Sequence, residues 1–205
     1  DNAYEYTLKC VKDDKVYDLT SFGKEAGFYI ENENSILFCG NRKNIENISS
    51  QLIRDKGFSV SVSDLMKAVG LTHGGFYKHF QNKDELIDIA CKDTFRQSEQ
   101  KWNSIIAETG SEHEALDLIF TRYLSEKNLA DPGKSCPLSS LSMDVAREEE
   151  GKAVKQTFHQ GVETLLKILT TLNDPKHENT QLSEQAIIQL SLLSGALTLA
   201  RSVDH

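Results

Sequence analysis

The run SVSDLMKAVGLTHGGFYKHFQNKDEL, from Ser61 to Leu86, decides the fold. Its apolar residues Val62, Leu65, Met66 and Val69 recur with a helical period, Ser61 and Ser63 stand where an N-cap belongs, and Gly70 punctuates the end. A second, short helix is predicted from Thr72 as its cap. Phe76 and Phe80, four residues apart, give it an inner face, and His73, Tyr77, Lys78 and His79 fall on the other. Asn82 and Asp84 then stand at the cap of a third helix. Two helices joined by a tight turn containing Gly, with a polar and basic second helix, form the helix-turn-helix pattern, whose second helix enters the major groove of DNA.

Upstream, Ile45, Ile48, Leu52 and Ile53 make an apolar stripe from Asn44 to Gly57 that predicts a helix, and Phe58 and Val60 are expected to continue its small core. Arg42 and Lys43, just ahead of it, are candidates for phosphate contact, although at a helix start such residues are more often simply solvated. Residues 1–41 have a different character: YEYTLKCV, KVYDLTSF, GFYIE and SILFC are short β-prone runs separated by polar stretches, which suggests two hairpins. A small added sheet, an artefact of the sequence boundary and a poorly ordered tail all fit that composition.

Downstream, Ile87, Cys91, Phe95, Ser98, Trp102 and Ile105 lie on one face of a long helix. A helix from Ser111 to Glu126 is predicted to bury Leu116, Ile119, Phe120 and Tyr123, after which DPGKS breaks the chain. Pro137 suits the first position of a helix from Leu138 to Glu150. Lys152 to Leu172 is amphipathic through Val154, Phe158, Val162, Leu165, Leu169 and Leu172, and NDPKHENT follows as a polar loop. The closing helix, Leu182 to Val203, carries two apolar stripes. Leu182, Ala186, Leu190, Leu193, Leu197 and Ala200 make the first; Ile188, Leu192, Gly195, Leu199 and Val203 make the second. Two covered faces require two neighbours.

The 205 residues can bury a sizeable core, and no apolar run approaches the roughly 18 residues that a membrane span needs. No secretory leader is visible, so a cytoplasmic protein is expected; the first residue is Asp, so the true start is expected to lie upstream. The net charge of −8 is unevenly distributed: residues 1–41 sum to −4, 42–83 to +4 and 84–205 to −8. A phosphate backbone would attract only the middle block. Cys10, Cys39, Cys91 and Cys136 show no ligand spacing, which makes a structural zinc site unexpected and free thiols the simplest reading.

The run GLTHGGFYKHFQNKDEL, with QLIRDKGF ahead of it, resembles the signature of the TetR (tetracycline-repressor-like) family of bacterial one-component regulators. The resemblance implies a mainly all-α fold: a three-helix helix-turn-helix head over residues 42–88 and a helical effector-binding and dimerisation domain over 89–205, preceded by the β-prone extension 1–41. The DNA-binding set it implies is Ser61, Thr72, His73, Gly74, Gly75, Tyr77, Lys78, His79 and Lys83. Within it Thr72 and Tyr77 would give hydroxyls to phosphates, Lys83 would meet phosphate at a helix start, and His73 would reach a base edge with Lys78 and His79 alongside. Gly74 and Gly75 would let the backbone approach the groove. Each polar member also reads simply as an exposed residue.

The same resemblance implies a homodimer through the last two long helices, a double-stranded DNA operator, and a small-molecule effector whose binding releases a repressor from DNA. No enzyme activity, cofactor or metal is expected. In similar chains a further turn or short helix follows the last helix, so a truncated or simply short C-terminus is expected here. A helical protein-interaction module that has kept the fold without DNA binding is the alternative. Trp102, Phe120, Tyr123, Met143, Phe158 and His159 are candidates to line the effector pocket, though each taken singly reads more readily as ordinary core. No fixed charge in that set stands out, which points to an apolar or electrophilic effector. Cys136, at a helix start with Lys134 nearby, is a candidate redox sensor, because both features favour thiolate; its plain reading is an inert small residue at a cap.

Overall fold

The computed structural model describes residues 9–12, 15–18, 28–32, 35–38, 42–175 and 182–203. Four short strands come first. β1 (Lys9–Lys12) pairs antiparallel with β2 (Lys15–Asp18), and β3 (Phe28–Asn32) pairs with β4 (Ser35–Phe38), with an irregularity between Ile30 and Asn32. These are the two hairpins that the β-prone runs predict. The segments between and around them, Cys39 included, lie outside the described residues, as does the stretch 176–181 of the polar loop.

Nine α-helices follow among the described residues: α1 (Arg42–Lys56), α2 (Val62–Ala68), α3 (His73–Phe76), α4 (Lys83–Glu108), α5 (Glu112–Tyr123), α6 (Glu126–Ala130), α7 (Pro137–Arg147), α8 (Ala153–Asn173) and α9 (Glu184–Ser202). Most begin where a side chain can satisfy an orphan N–H. Ser61, Asn82, Ser111, Ser125 and Ser183 each accept from a backbone amide of the first turn. Gly57 and Gly70 end α1 and α2 with φ of +73°, a conformation that L side chains rarely adopt. No helix among the described residues is long and apolar enough to cross a membrane.

The chain divides into two compact units, one from the described residues up to Ser49 with Ser61–Gln81, the other from Ser50–Val60 with Asn82 onward. The boundary falls within the first helix, between Ser49 and Ser50. α1 belongs to both units, and its last turns sort with the helical body. Ser50 Oγ meets Thr94 Oγ1 at 2.9 Å, and Arg54 Nη1 donates to the Ser135 carbonyl at 3.1 Å. Phe58 N–H donates to Asp144 Oδ1 at 3.4 Å, and the Lys83 ammonium donates to the Phe58 carbonyl. Phe58 and Val60 are therefore buried in the second unit and not in the core of the first.

In the first unit, α2 packs on α3, with Ile45, Leu65, Met66, Val69, Phe76 and Phe80 buried. In the second, α4 lies along α8 at Gly161, where an added Cβ would fall 2.2 Å from Phe95 Cγ. Glycine there allows close approach of the two helices. α8 also meets α9, tied by reciprocal amide bonds of Asn173 and Gln189 at 2.7 and 3.0 Å. Two details depart from the sequence reading. The helix predicted to reach Glu126 stops at Tyr123 and restarts as α6 under the Ser125 cap, and α5 buries Ala115, Ile119 and Tyr123 while Leu116 and Phe120 are only half-buried.

Candidate nucleic-acid interface and a cavity in the second unit

The outer face of the helix-turn-helix begins at the turn. Gly70 N–H bonds to the Lys67 carbonyl at 3.2 Å and Leu71 N–H to Met66 at 2.8 Å, which closes α2 and redirects the chain. Thr72 occupies the N-cap position of α3, but its hydroxyl makes no cap hydrogen bond. The helix itself is four residues, His73–Phe76; backbone bonds to Phe76 from His79 (2.9 Å) and Phe80 (3.0 Å) continue it as a turn. Two consecutive glycines weaken helix by up to about 1 kcal/mol each. Burying two Phe side chains contributes roughly 3–6 kcal/mol, so Phe76 and Phe80, with ring centroids 5.4 Å apart, decide the conformation.

With Phe76 and Phe80 inside, the other side chains of this stretch face water. Thr72, His73, Gly74, Tyr77 and Lys78 are exposed, and Tyr77 keeps 60% of its surface. Its ring lies edge-on to Phe76 and tilted toward His73, at 5.1 and 5.7 Å. His79 is half-buried. Burial, with Arg42 and Lys78 nearby, holds its imidazole below the usual histidine range, so it is neutral at pH 7. Arg42, expected to be solvated or on phosphate, instead donates to the His79 carbonyl at 2.8 Å, stacks 4.9 Å over the Phe80 ring and pairs with Glu46 at 3.0 Å. It clamps the end of this turn to α1.

Two members of the expected set have internal duties. Ser61 Oγ caps α2, accepting from Asp64 N–H at 3.1 Å and donating to Asp64 Oδ2 at 2.6 Å. Lys83 is half-buried on the Phe58 carbonyl. Neither duty is visible in spacing alone.

The second unit contains a cavity of about 740 Å³ walled by α4, α5, α6 and the Asp131–Cys136 segment. Of the six expected lining residues, Trp102 and Tyr123 line it. Met143 is 63% exposed, His159 faces solvent near Glu163 at 3.8 Å, Phe158 stacks edge-on against Phe95 at 5.2 Å, and Phe120 is half-buried outside the wall. Those four are not brought together with it, because the amphipathic period cannot tell a cavity-facing aromatic from one packed on a neighbouring helix. Cys136, singled out separately in sequence, lines this same cavity.

The Cys136 thiol is buried. Lys134 is held by Asp131 at 3.0 Å, and burial pushes the thiol up despite hydrogen bonding from the Leu138 amide and the Arg54 charge. Burial of a small group in a dry wall outweighs the helix terminus. Tyr123 Oη lies close to Cys136 and Ser139 but makes no hydrogen bond of good geometry, and it is buried. Of the cations of the wall, Lys101, Arg122, Lys127 and Lys134, only Lys134 is singled out in sequence, for its nearness to Cys136.

The family model of bacterial regulatory proteins of the tetR family matches residues 49–89. No curated protein sequence matches the chain. Among solved structures, the chain is similar to a TetR-family transcriptional regulator from Agrobacterium tumefaciens, at 19% identity over 80% of this chain and 88% of that one, with a TM-score of 0.69. A TetR-family regulator from Cytophaga hutchinsonii is 20% identical over 80% and 84%, with a TM-score of 0.68. AibR, in complex with isovaleryl coenzyme A and operator DNA, is 16% identical over 80% and 87%, with a TM-score of 0.54. At such identities the structures speak for a shared fold.

Proposed function

We propose, from the premise that this chain is a TetR-family regulator by its residues 49–89 and its fold, that it is a ligand-responsive DNA-binding transcriptional regulator, a repressor that a small molecule releases from its operator. The observation that carries the reading is the outer face of α3 and its following turn: Thr72, His73, Tyr77 and Lys78 point to solvent while Phe76 and Phe80 hold the segment from within. Residues 42–88 act as the DNA-binding head and 89–205 as the effector-binding and dimerisation body.

Thr72 and Tyr77 give hydroxyls to phosphate oxygens, Lys78 adds charge, and His73 meets a base edge. Neutral His79 serves as a hydrogen-bonding group and not as a cation. Gly74 and Gly75 bring the backbone against the groove. Ser61 and Lys83 contribute at the rim, Lys83 only by exchanging its Phe58 carbonyl for a phosphate. The protein acts as a cytoplasmic homodimer through α8 and α9, with recognition segments spaced for successive major grooves, about 34 Å apart. Its work is binding and not catalysis. The effector occupies the cavity at Trp102, Tyr123 and Cys136. Linkage makes the coupling reciprocal: operator DNA weakens effector binding by the same factor that effector weakens operator binding.

The test is a titration against the DNA flanking its own gene over a range of salt. Tyr77→Ala is expected to weaken binding at all salt concentrations, and Lys78→Gln to lower the slope of log K against log salt by about 1 for each phosphate that a protomer no longer engages. Binding untouched by both changes, or no binding to any such duplex, would overturn the reading.

A further inference from the structure

We infer that the cavity of the second unit takes an amphiphilic anion, whose negative head meets Lys101 and Lys127 while an apolar body lies against Trp102, Ile105 and Ile119. The inference rests on the reading of this cavity as the effector site and gives that effector its chemistry. It replaces the apolar or electrophilic effector that the sequence suggests.

The charge around the cavity is unbalanced. Four cations line it, Lys101, Arg122, Lys127 and Lys134, against one carboxylate, Asp131, in a chain whose net charge is −8. Asp131 is taken by Lys134 at 3.0 Å, and Arg122 has only a long approach to Glu108 at 3.9 Å. Among the described residues, Lys101 and Lys127 have no carboxylate at ion-pair distance. Lys101 donates to the Lys134 carbonyl at 3.3 Å, and partial burial, then Arg54 and Lys127, push its ammonium below the usual lysine range.

Two guanidiniums stand behind the same wall. Arg54, 4% exposed, donates to the carbonyls of Ser50 and Ser135. Arg201 donates to the carbonyls of Leu129 and Asn128 and to the hydroxyls of Ser135 and Ser139. Both converge on Ser135, itself a wall residue, and among the described residues neither forms an ion pair. Cations gathered around one cavity in excess of its single carboxylate repel one another, and an anion relieves that repulsion while a neutral or cationic ligand does not. The buried Tyr123 hydroxyl, without a hydrogen bond of good geometry, supplies a donor for an anionic oxygen. The apolar part of the wall then selects against small inorganic anions and favours one with a hydrocarbon body.

Trp102 is the single tryptophan of the chain and lines the cavity, so its fluorescence reports occupancy directly. The full chain is titrated with decanoate, decanol and decylamine, which share a tail and differ in head charge. Decanoate is expected to bind at least about tenfold more tightly than decanol, with decylamine weakest, and added KCl is expected to weaken decanoate alone. Lys101→Gln combined with Lys127→Gln, both solvent-facing changes, should bring decanoate to within about threefold of decanol and leave decanol unmoved; a folding defect would weaken both. Equal binding of decanoate and decanol, a preference for decylamine, or no binding of any of the three overturns the inference. Duplex binding by the same samples without ligand is measured in parallel. Its failure removes the regulator reading while the head-group ranking keeps its meaning, and the reverse holds.

Discussion

At Gly74 an added methyl group would meet nothing within 4 Å, and at Gly75 it would make ordinary contacts at 3.7 Å with Leu71 and Thr72. Neither residue has a positive φ. Nothing among the described residues requires glycine at these positions, and helix propensity argues against it. Gly74→Ala is expected to stabilise the free protein by about 0.5–1 kcal/mol in chemical denaturation and yet to weaken duplex binding. A variant that gains stability and binds DNA unchanged would show that no close approach occurs there. The cysteines give a second prediction at this scale. Burial pushes Cys91 up to about 12 and Cys136 upward as well, so at neutral pH both hold less thiolate than a free cysteine. In a background of Cys10→Ser and Cys39→Ser, iodoacetamide should leave the native protein unmodified over a time that fully labels it in denaturant, with native labelling rising only at alkaline pH. Rapid native labelling of Cys136 would instead favour the redox-sensor reading.

Between elements, α4 and α8 approach closely at Gly161. The Phe95 ring occupies the space a side chain at 161 would need, and neither helix backbone can retreat without disturbing Leu165 and Leu169, both fully buried. Gly161→Ala is therefore expected to cost about 1–3 kcal/mol of stability, read as a lower Tm, and Phe95→Leu in that background should recover part of the loss. An unchanged Tm would mean that the helices separate freely. α1 illustrates the opposite case, an element held at both ends by polar contacts: Arg42 on the His79 carbonyl in one unit, and Arg54 on the Ser135 carbonyl in the other. Ser135 also lines the cavity of the second unit, so that part of α1 is bonded to the cavity wall.

For the whole molecule, the face that matters is the second stripe of α9. Ile188, Leu192, Leu199 and Val203 expose 56–68% of their surface, while Ala186, Leu190, Leu193 and Leu197 on the first stripe are buried. A row of large apolar side chains at one helical period, open to water on a folded protomer, is the surface a second copy would cover. Leu192→Glu with Leu199→Glu is expected to give a folded monomer by sedimentation and to weaken duplex binding by orders of magnitude, since one recognition segment then engages a half-site without its partner. A variant that stays dimeric would place the interface elsewhere.

The sequence by itself determined most of the helices, the caps at Ser61 and Asn82, the helix-turn-helix head and the split of α9 into two stripes, because period, capping chemistry and glycine punctuation act within a few residues of chain; the break between α5 and α6 escaped it. It also placed Phe76 and Phe80 inside and His73, Tyr77 and Lys78 outside, since a turn held by two aromatic rings leaves its other faces no choice. Only the tertiary structure decided what depends on residues far apart in sequence. It put Lys83 on the Phe58 carbonyl and Arg42 on that of His79, left Met143 and His159 outside the cavity, and raised the Cys136 thiol by burial. The same holds for the cations of the cavity wall: Lys101, Lys127 and Lys134 each look solvated on their own helix or turn, and their shared field exists only once the chain has folded around the space between them.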